Sequence, residues 1–561
     1  MKKLLITVFF SVALISVIAI ILINSSKTID PPQVPYTDTS SFKTVSSGDS
    51  LVYCGKSWFH KSRTGLYELY TEGDAYYRGL AAGKLTRDLS RKQEKIFVRQ
   101  INKFVPSKSY RRFLNFIIDI FNRKIDTYIK PEFLQEIFGV SKYADDQYKY
   151  IGSNYQRMLN YHAAHDIGHM MQNYHLVGCT SFAVWDERSK DSSLLVGRNF
   201  DFFINDDFAE DKIISFVKPD SGYNYMMISW GGMTGVVSGM NDQGLTVTIN
   251  AAKSQVPLHS ACPVSLVAKH ILQYARNIRE AFGIAGRYQV FVSESFMIGS
   301  AKDKKACIIE KSPEKTVLFE NDSNYIICTN HFQSTEYASD KLNIMQMNET
   351  PTVYRFKRVE QLIRNSSPMD ENSAAALLRN PDGMDDKKIG YTNELAVNQF
   401  IAHHSVIFKP EQLLVWVSTT PYQAGTYVCY DLNKIFQKKE CLMQNTEMYE
   451  FELSLLPDSV MLSDYSGKIA EYKKIRDAFV DHLNSDITQA NAGDAEKMTG
   501  LNPEFYQPYY LAGEYYYKNK SYGRALEYYR KALEKSIPYL ADRELLKKRM
   551  EACKSKTIKY E

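Results

Sequence analysis

The spacing of apolar and polar residues changes twice along the chain and divides it into three parts. From residue 51 to about residue 176, apolar residues recur every three or four positions, as in FLNFIIDIF, which predicts helices. After His175 the chain turns to short β-branched runs such as LLVGRN, IISFV, LTVTIN and LVWVS, which predict strands. Past Pro457 the helical spacing returns.

Helical windows interrupt the strand-rich part at residues 263–284, 352–364 and 372–378. Separate runs of strands and helices indicate an α+β domain built on antiparallel sheets. The expected division of the chain is an N-terminal segment at 1–27, a linker at 28–50, a helical segment at 51–178, the strand-rich domain at 179–456 and a helical C-terminal region at 457–561.

The C-terminal region contains a helical hairpin, at about residues 506–538, that fits one tetratricopeptide repeat. The small and aromatic positions of the repeat are filled by Tyr509, Gly513, Tyr516, Ala525, Tyr529 and Ala532, with Pro538 closing it. A single repeat cannot build the concave groove that arrays of repeats use to bind peptides. We therefore expect it to dock within the protein, with contact to a partner protein as the alternative.

The amino-acid composition excludes several classes of protein. With 44% hydrophobic and 24% charged residues, the 561-residue chain is globular and large enough for several domains. Its eight cysteines are too few and too scattered for a disulfide scaffold, and none form a CxxC pair, which argues against a thiolate zinc site. The net charge of +5 is mild, and the basic residues between 91 and 112 read as a solvated helix face, with anionic lipid as the alternative contact. No nucleic-acid partner is expected.

The N-terminal residues are typical of a membrane-spanning segment. Lys2 and Lys3 precede residues 4–23, which carry no charge and are long enough to span the hydrocarbon core. No small-x-small cleavage site follows clearly. We expect an uncleaved anchor with the rest of the chain outside the cytoplasm; a cleaved signal peptide, giving a secreted or periplasmic protein, is the alternative.

The change from helical to strand pattern falls at one cysteine, Cys179, in the run GCTSFAV. The preceding Gly178 lets another group approach the backbone closely. Arg198 and Asp201 lie three residues apart, one hairpin later, and can place charge beside the thiol. Two later apolar strands each end in a side-chain amide; these are Asn250 and Asn330.

A histidine group just before Cys179 suggests a rival chemistry. His162, His165 and His169, with Asp166, follow helical spacing, and the last two histidines form an i,i+4 pair that could bind a metal. The glutamate of the hydrolase version of this pattern is absent. We favour a polar helix face, and we predict no metal and no cofactor.

The order and spacing of several motifs between residues 66 and 431 resemble the N-terminal nucleophile hydrolases. These motifs are LYELYTEGDAYYRGLAAGKL, GCTSFAV, GRNFDF, GMNDQGLTVTINA, CTNHF and HHSVIFKPEQLLVWVS. The chain is most similar to the acyl-CoA:6-aminopenicillanate acyltransferase family, with kinship to choloylglycine hydrolases and to acid ceramidase and N-acylethanolamine amidases. The resemblance implies a four-layer αββα sandwich and a precursor that cuts itself between Gly178 and Cys179.

The resemblance also implies roles for the residues already noted. Cys179 would be the nucleophile, and its freed α-amino group the base, with Asp201 orienting that amine and Arg198 poising the thiol. Asn250 matches the position that stabilises the oxyanion, and Asn330 matches the second site amide. A further site arginine would be Arg358 or Arg355, since the register in YRFKR is ambiguous.

The expected substrate is an N-acyl amide with a lipid acyl part, because the chain carries 39 Tyr and 29 Phe and its anchor would hold the site near lipid. A bile-salt or penicillin-type substrate is the alternative, and a non-enzymatic envelope scaffold acting through the repeat is the alternative from another class. The long helical segment before Cys179, the C-terminal repeat and the anchor depart from the family pattern.

Overall fold

The computed structural model describes residues 29–36, 42–47, 51–163, 166, 178–202, 204–253, 260–437, 447–485 and 490–560. Its strands are β1 (Thr44–Ser47), β2 (Leu51–Cys54), β3 (Ser57–Lys61), β4 (Tyr67–Gly73), β5 (Thr180–Val184), β6 (Leu195–Phe200), β7 (Ile213–Pro219), β8 (Tyr225–Ser229), β9 (Ser238–Asn241), β10 (Leu245–Ala251), β11 (Glu294–Ser300), β12 (Lys305–Lys311), β13 (Thr316–Phe319), β14 (Tyr325–Cys328), β15 (His404–Lys409), β16 (Leu414–Ser418), β17 (Tyr427–Asp431) and β18 (Glu450–Leu455).

The described helices are α1 (Ala75–Leu85), α2 (Arg87–Phe104), α3 (Lys108–Asn122), α4 (Pro131–Ser141), α5 (Asn154–His162), α6 (Val264–Tyr274), α7 (Ile278–Gly286), α8 (Lys341–Glu349), α9 (Thr352–Ser366), α10 (Glu371–Arg379), α11 (Leu432–Ile435), α12 (Ser459–Asp464), α13 (Ala470–Ser485), α14 (Ala492–Leu501), α15 (Tyr506–Lys518), α16 (Tyr522–Leu533) and α17 (Leu540–Tyr560).

The strands form two sheets. Sheet 1 has eleven strands in the order β1-β2-β3-β4-β7-β8-β9-β10-β11-β12-β13, and sheet 2 has seven in the order β14-β5-β6-β15-β16-β17-β18. Neighbouring strands are antiparallel except β4 and β7, which run parallel. This arrangement agrees with the α+β, mainly antiparallel architecture predicted from the sequence.

The side chains along each strand alternate between its two faces, and their contacts show that the molecule has four layers. On β11, Met297 belongs to the core between the two sheets, while Phe296 and Ile298 face the other way, toward α6 and α7. On β5, Ala183 faces the core between the sheets, and Phe182 packs on the side of α9 and α10. Because successive strand residues point to opposite faces, each buried sheet needs cover on both sides. The order of layers is therefore helix, sheet, sheet, helix.

The strand-rich and helical windows read from the sequence agree closely with the structure. The windows at 263–284, 352–364 and 372–378 correspond to α6 with α7, to α9 and to α10. The stretch at 51–73 is different, because it forms β2, β3 and β4 rather than helices. In β3 and β4, stacked aromatic pairs such as Trp58 with Tyr70 fill neighbouring strands. Aromatic residues spaced by two or three positions are compatible with a strand and with a helix. The pairing of β4 with β7 makes this stretch part of a sheet.

The C-terminal region is helical, as predicted, and its hairpin consists of α15 and α16. A Cβ atom at Gly513 would lie 2.5 Å from the ring of Tyr529, so the glycine lets the two helices approach closely. The predicted anchor at residues 4–23 lies outside the described residues. Within the described part of the chain, no helix has the length and apolar character to cross a membrane.

Candidate active site

Cys179 immediately precedes β5, and of the two charged residues singled out in the sequence, Arg198 lies on the antiparallel neighbour β6 and Asp201 directly follows it. The register pairs Ser181 with Arg198, and the N–H of Gly178 donates to the carbonyl of Asp201 at 3.0 Å. The hairpin therefore places the end of β6 beside the start of β5. This is why a cysteine and an aspartate 22 positions apart meet at one point.

Arg198 reaches the thiol directly. Its Nη2 lies 3.6 Å from Sγ of Cys179, and both side chains are completely buried. The guanidinium also donates to Val237 O, Ser238 Oγ and Ile249 O. Contacts to sheet 1 thus hold Arg198 rigidly between the two sheets, with one nitrogen directed at the thiol.

Burial dominates the electrostatics of the nucleophile. It raises the pKa of the Cys179 thiol to about 11, although the positive charge of Arg198 acts in the opposite direction. Burial also raises the pKa of Asp201 to about 7, against the lowering effect of Arg355 and Arg198. Among the described residues, neither carboxylate oxygen of Asp201 has a hydrogen-bond partner. Two buried acceptors without hydrogen-bond donors raise the free energy of the folded chain unless another group donates to them.

Two side-chain amides lie at the site, one on a strand of sheet 1 and the other just after β14. Asn250 lies on β10, where Oδ1 accepts from Ser181 Oγ at 2.8 Å and Nδ2 donates to Cys328 O at 2.9 Å. Asn330 follows β14, and its Nδ2 donates to Ala251 O at 2.9 Å. An amide nitrogen carries two hydrogens, so each of these groups keeps one donor beyond the bond described.

The arginine of α9 that reaches the site is Arg355 and not Arg358. Arg355 Nη1 donates to the carbonyl oxygens of Gly178 and Cys179, the second at 2.9 Å, and Nη2 donates to Asn330 Oδ1 at 2.7 Å. The guanidinium of Arg358 instead bonds Gln361, Asn380 and Asp386, at 2.6, 3.1 and 2.5 Å. A helical offset of three residues rotates the two side chains apart by about 60°, which the motif alone could not reveal.

Sequence reasoning missed two groups at the site. Gln399, before β15, donates from Nε2 to the carbonyl oxygen of Gly178 at 3.1 Å. His404 Nε2 lies 2.8 Å from Ser238 Oγ, the hydroxyl that also accepts from Arg198. His404 sits in the quoted run HHSVIF, but Gln399 comes from an irregular segment without a periodic pattern.

The predicted histidine group is only partly described. His165 and His169 lie outside the described residues. Thr234 N donates to His162 Nε2 at 3.0 Å, and His162 Nδ1 lies 2.7 Å from Met158 O. Both ring nitrogens are therefore used by the protein, and burial lowers the pKa of His162 to about 4. This histidine has a structural role in α5. Asp166 accepts from Val264 N at 3.0 Å, at the start of α6.

Another cluster of metal-ligating types lies away from Cys179. His60, Glu68 and Glu447 bring ligand atoms within 4.8 Å of one another. His60 Nδ1 is 3.3 Å from Glu68 Oε2, and Tyr430 donates to Glu68 at 3.0 Å. Within this cluster His60 pairs with Glu68, whereas Glu447 pairs with Arg63. A surface groove of ≈ 660 Å³ at α6 and α7 is also separate, since no site residue lines it.

Comparison with known proteins finds similarity within the two-sheet domain. The family model described as acyl-coenzyme A:6-aminopenicillanic acid acyl-transferase matches residues 187–418. This segment of the chain is similar to that acyltransferase family. The matched segment contains Arg198, Asp201, Asn250 and Asn330 and begins after Cys179, so the role of the cysteine depends on the site geometry.

One curated relative, an uncharacterized protein from Archaeoglobus fulgidus, is 23% identical over 276 residues, which are 46% of this chain and 46% of the relative. The chain thus spans about half the length of the relative that it matches. Among solved structures, the acid amidase ortholog of Caenorhabditis elegans that hydrolyses N-acylethanolamines has 17% identity and a TM-score of 0.31, covering 42% of this chain and 93% of its own. A mutant of the conjugated bile acid hydrolase of Clostridium perfringens has 13% identity and a TM-score of 0.30, covering 46% and 93%.

Proposed function

We propose that this chain is an N-terminal nucleophile amidohydrolase or acyltransferase that cuts itself between Gly178 and Cys179 and then uses Cys179 to cleave linear amides. One observation carries the proposal: a fully buried thiol directly before a strand lies beside Arg198 and the backbone of Asp201, whose carboxylate has no hydrogen-bond partner among the described residues. The match of residues 187–418 to the model of an acyltransferase family supports acyl transfer as the chemistry.

The bare Asp201 carboxylate supports the cut. In the intact chain the N–H of Gly178 already lies 3.0 Å from the Asp201 backbone oxygen. Cleavage would create an α-ammonium group on the next residue, Cys179. Its positive charge would supply the missing partner of the carboxylate and would be held near the thiol by it.

The mature site would combine base and nucleophile in one residue. A free α-amino group has an ordinary pKa of about 7.7–8.0, so it can accept the thiol proton near neutral pH. Sγ then adds to the carbonyl carbon of the substrate amide, and the free hydrogen of Asn250 Nδ2 donates to the resulting oxyanion. The amine returns the proton to the leaving nitrogen, leaving a thioester on Cys179. Water or a second amine releases the acyl group.

The substrate we propose is an N-acyl amide with a long apolar acyl chain. The aromatic-rich composition and the uncharged segment at residues 4–23 support this choice. The test is to incubate purified, cleaved protein with long-chain N-acyl amides, bile-acid conjugates and penicillins and to follow the released amine by mass spectrometry. Turnover of bile conjugates or penicillins alone would replace the lipid substrate with one of those classes.

Cysteine variants connect turnover to the site. Cys179→Ala is expected to abolish both cleavage and turnover, and Cys179→Ser to cleave slowly, because a hydroxyl is the weaker nucleophile. Asn250→Ala is expected to lower acyl transfer by about two to three orders of magnitude. Cys553→Ala, a buried cysteine of α17, is the matched control and is expected to retain activity. A scaffold role without catalysis would instead leave cellular function intact in Cys179→Ala.

The cut itself is tested by determining the first residue of the large mature chain. Residue 179 is expected at its N-terminus, and a different first residue in an active preparation would overturn the mechanism.

We also propose that the mature protein lies outside the cytoplasm, attached through residues 4–23. Two lysines before twenty uncharged residues support this orientation. Release of the protein by osmotic shock without detergent would favour the cleaved signal peptide instead.

A further inference from the structure

The carbonyl oxygen of Gly178, at the proposed cut, accepts two side-chain hydrogen bonds. Arg355 Nη1 is one donor, and Gln399 Nε2, at 3.1 Å, is the other. Both donors are buried, with exposed fractions of 2% each. Gly178 lies outside the β5 ladder, which begins at Thr180, so its carbonyl has no strand partner to satisfy it.

The position of Gln399 is fixed from both sides along the chain. The preceding residue, Asn398, donates from its backbone N–H to Asn380 O at 2.8 Å and accepts the N–H of Phe400 at 3.0 Å. The carbonyl of Phe400 in turn accepts from Lys473 at 2.8 Å. The backbone on either side of Gln399 is therefore fixed before any reaction occurs, and the side chain reaches Gly178 from this anchored position.

Gly178 has no side chain, and this leaves room for the amide of Gln399. A Cβ atom at position 178 would lie 2.9 Å from Nε2 of Gln399, closer than side-chain atoms pack. Any other residue would push the amide away from the carbonyl. This explains, from contact distances alone, why a glycine precedes the cysteine.

We propose that Gln399, together with Arg355, forms the oxyanion site of the self-cleavage step, separate from the amide of Asn250 that serves the substrate. The inference rests on the proposed function. Sγ of Cys179 adds to the carbonyl carbon of Gly178, and the carbonyl oxygen takes up negative charge against the two donors. The C–N bond then breaks, the thiol proton ends on the nitrogen of Cys179, and a thioester joins Gly178 to Sγ. Water hydrolyses the thioester to a Gly178 carboxylate and a free thiol.

The two donors differ in what they contact. Arg355 Nη1 also bonds Cys179 O and Thr180 Oγ1, both at 2.9 Å, and these atoms remain on the mature chain. The hydrogen bond of Gln399 goes to Gly178, which becomes the end of the N-terminal piece after the cut. Gln399 is therefore the better probe of cleavage, because its bond belongs to the uncut chain.

The test measures the cleavage rate of freshly translated full-length chain on gels and by intact mass. Gln399→Leu, which keeps the volume but loses the donor, is expected to slow cleavage about one-hundred-fold. Gln437→Leu is the matched control, because it makes the same change at an exposed position after α11, and it is expected to cleave at the rate of the unmodified chain. Cleavage of Gln399→Leu at the unmodified rate would overturn the inference.

Two further measurements keep the result interpretable. Thermal unfolding of Gln399→Leu on a Cys179→Ala background reports whether the variant folds. If it does not fold, Gln399→Glu replaces it, because glutamate has nearly the same shape as glutamine. Gln399→Glu is expected to cleave still more slowly, because a carboxylate repels the oxyanion. Gly178→Ala is expected to slow cleavage by displacing the same donor. If the unmodified chain never cleaves, the proposed function fails, whereas normal cleavage in the Gln399 variants sinks only this inference.

Discussion

At the scale of single residues, the pKa of Cys179 controls the proposed self-cleavage. Burial raises this pKa to about 11, so at neutral pH the thiol is almost entirely protonated. The thiolate is the nucleophile, and its fraction grows tenfold per pH unit below the pKa. We expect the cleavage rate of freshly translated chain to rise steadily from about pH 6 to about pH 9. Arg198→Met should be slower at every pH, because Arg198 lowers the pKa; a flat profile would contradict this reading.

Asp201 gives a second prediction at this scale. Burial raises its pKa to about 7 in the folded chain, above the ordinary value of 3.8. The folded state therefore holds the proton longer than the unfolded state, and stability falls as pH rises from about 4 to about 7, by on the order of 4 kcal/mol. On a Cys179→Ala background, Asp201→Asn should be the more stable protein at pH 8, with little difference near pH 4.

Thermal unfolding at the two pH values measures this effect. An equal difference between the variants at both pH values would mean that the Asp201 carboxyl does not titrate in this range. The same substitution in the cleavable chain should also lose activity, since it removes the proposed partner of the α-amine.

At the scale of elements, helices before the proposed cut are tied to the domain that follows it. Glu136 of α4 accepts from Arg78 of α1 at 2.9 Å and lies 2.8 Å from Lys269 of α6. The three side chains are buried, and β4 pairs in parallel with β7 over seven residues. We therefore expect the pieces 1–178 and 179–561 to remain together after cleavage and to co-elute without denaturant.

Glu136→Gln tests this connection. It leaves two buried cations facing a neutral amide, which should lower the free energy of unfolding by about 3–5 kcal/mol. Glu314→Gln, on an exposed turn, is the control and should have no measurable effect. Separation of the two pieces from the unmodified protein on a sizing column would contradict the prediction.

At the scale of the whole molecule, the C-terminal helices are docked on the two-sheet domain by buried polar contacts. Lys473 of α13, 2% exposed, donates to Phe400 O at 2.8 Å and to Asp206 at 2.7 Å. Asn502 bonds both the N–H and the carbonyl of Tyr391, at 3.0 and 2.9 Å. Both contacts come from residues before the hairpin at 506–538, so the docking role expected of the hairpin stays a prediction.

Lys473→Ala should therefore lower the melting temperature of the whole protein, since it leaves Asp206 without its cation and opens the docked surface. The neighbouring Lys474 is exposed, so Lys474→Ala is a matched control that should melt like the unmodified protein. Two separate melting transitions in the unmodified protein would show that the C-terminal helices unfold independently.

The sequence by itself determined the α+β class, most strands, the helices at 263–284 and 352–364, and the positions of Cys179, Arg198, Asp201, Asn250 and Asn330 as one group. The hydrophobic period and local motifs suffice for the class, the strands and the helices, whereas the site group followed from the resemblance to a known family. Only the tertiary structure decided that residues 51–73 join sheet 1, that Arg355 reaches the site rather than Arg358, and that Gln399 contacts Gly178. Those outcomes depend on which parts of the chain, up to 221 residues apart, pack together, and no local spacing records such contacts.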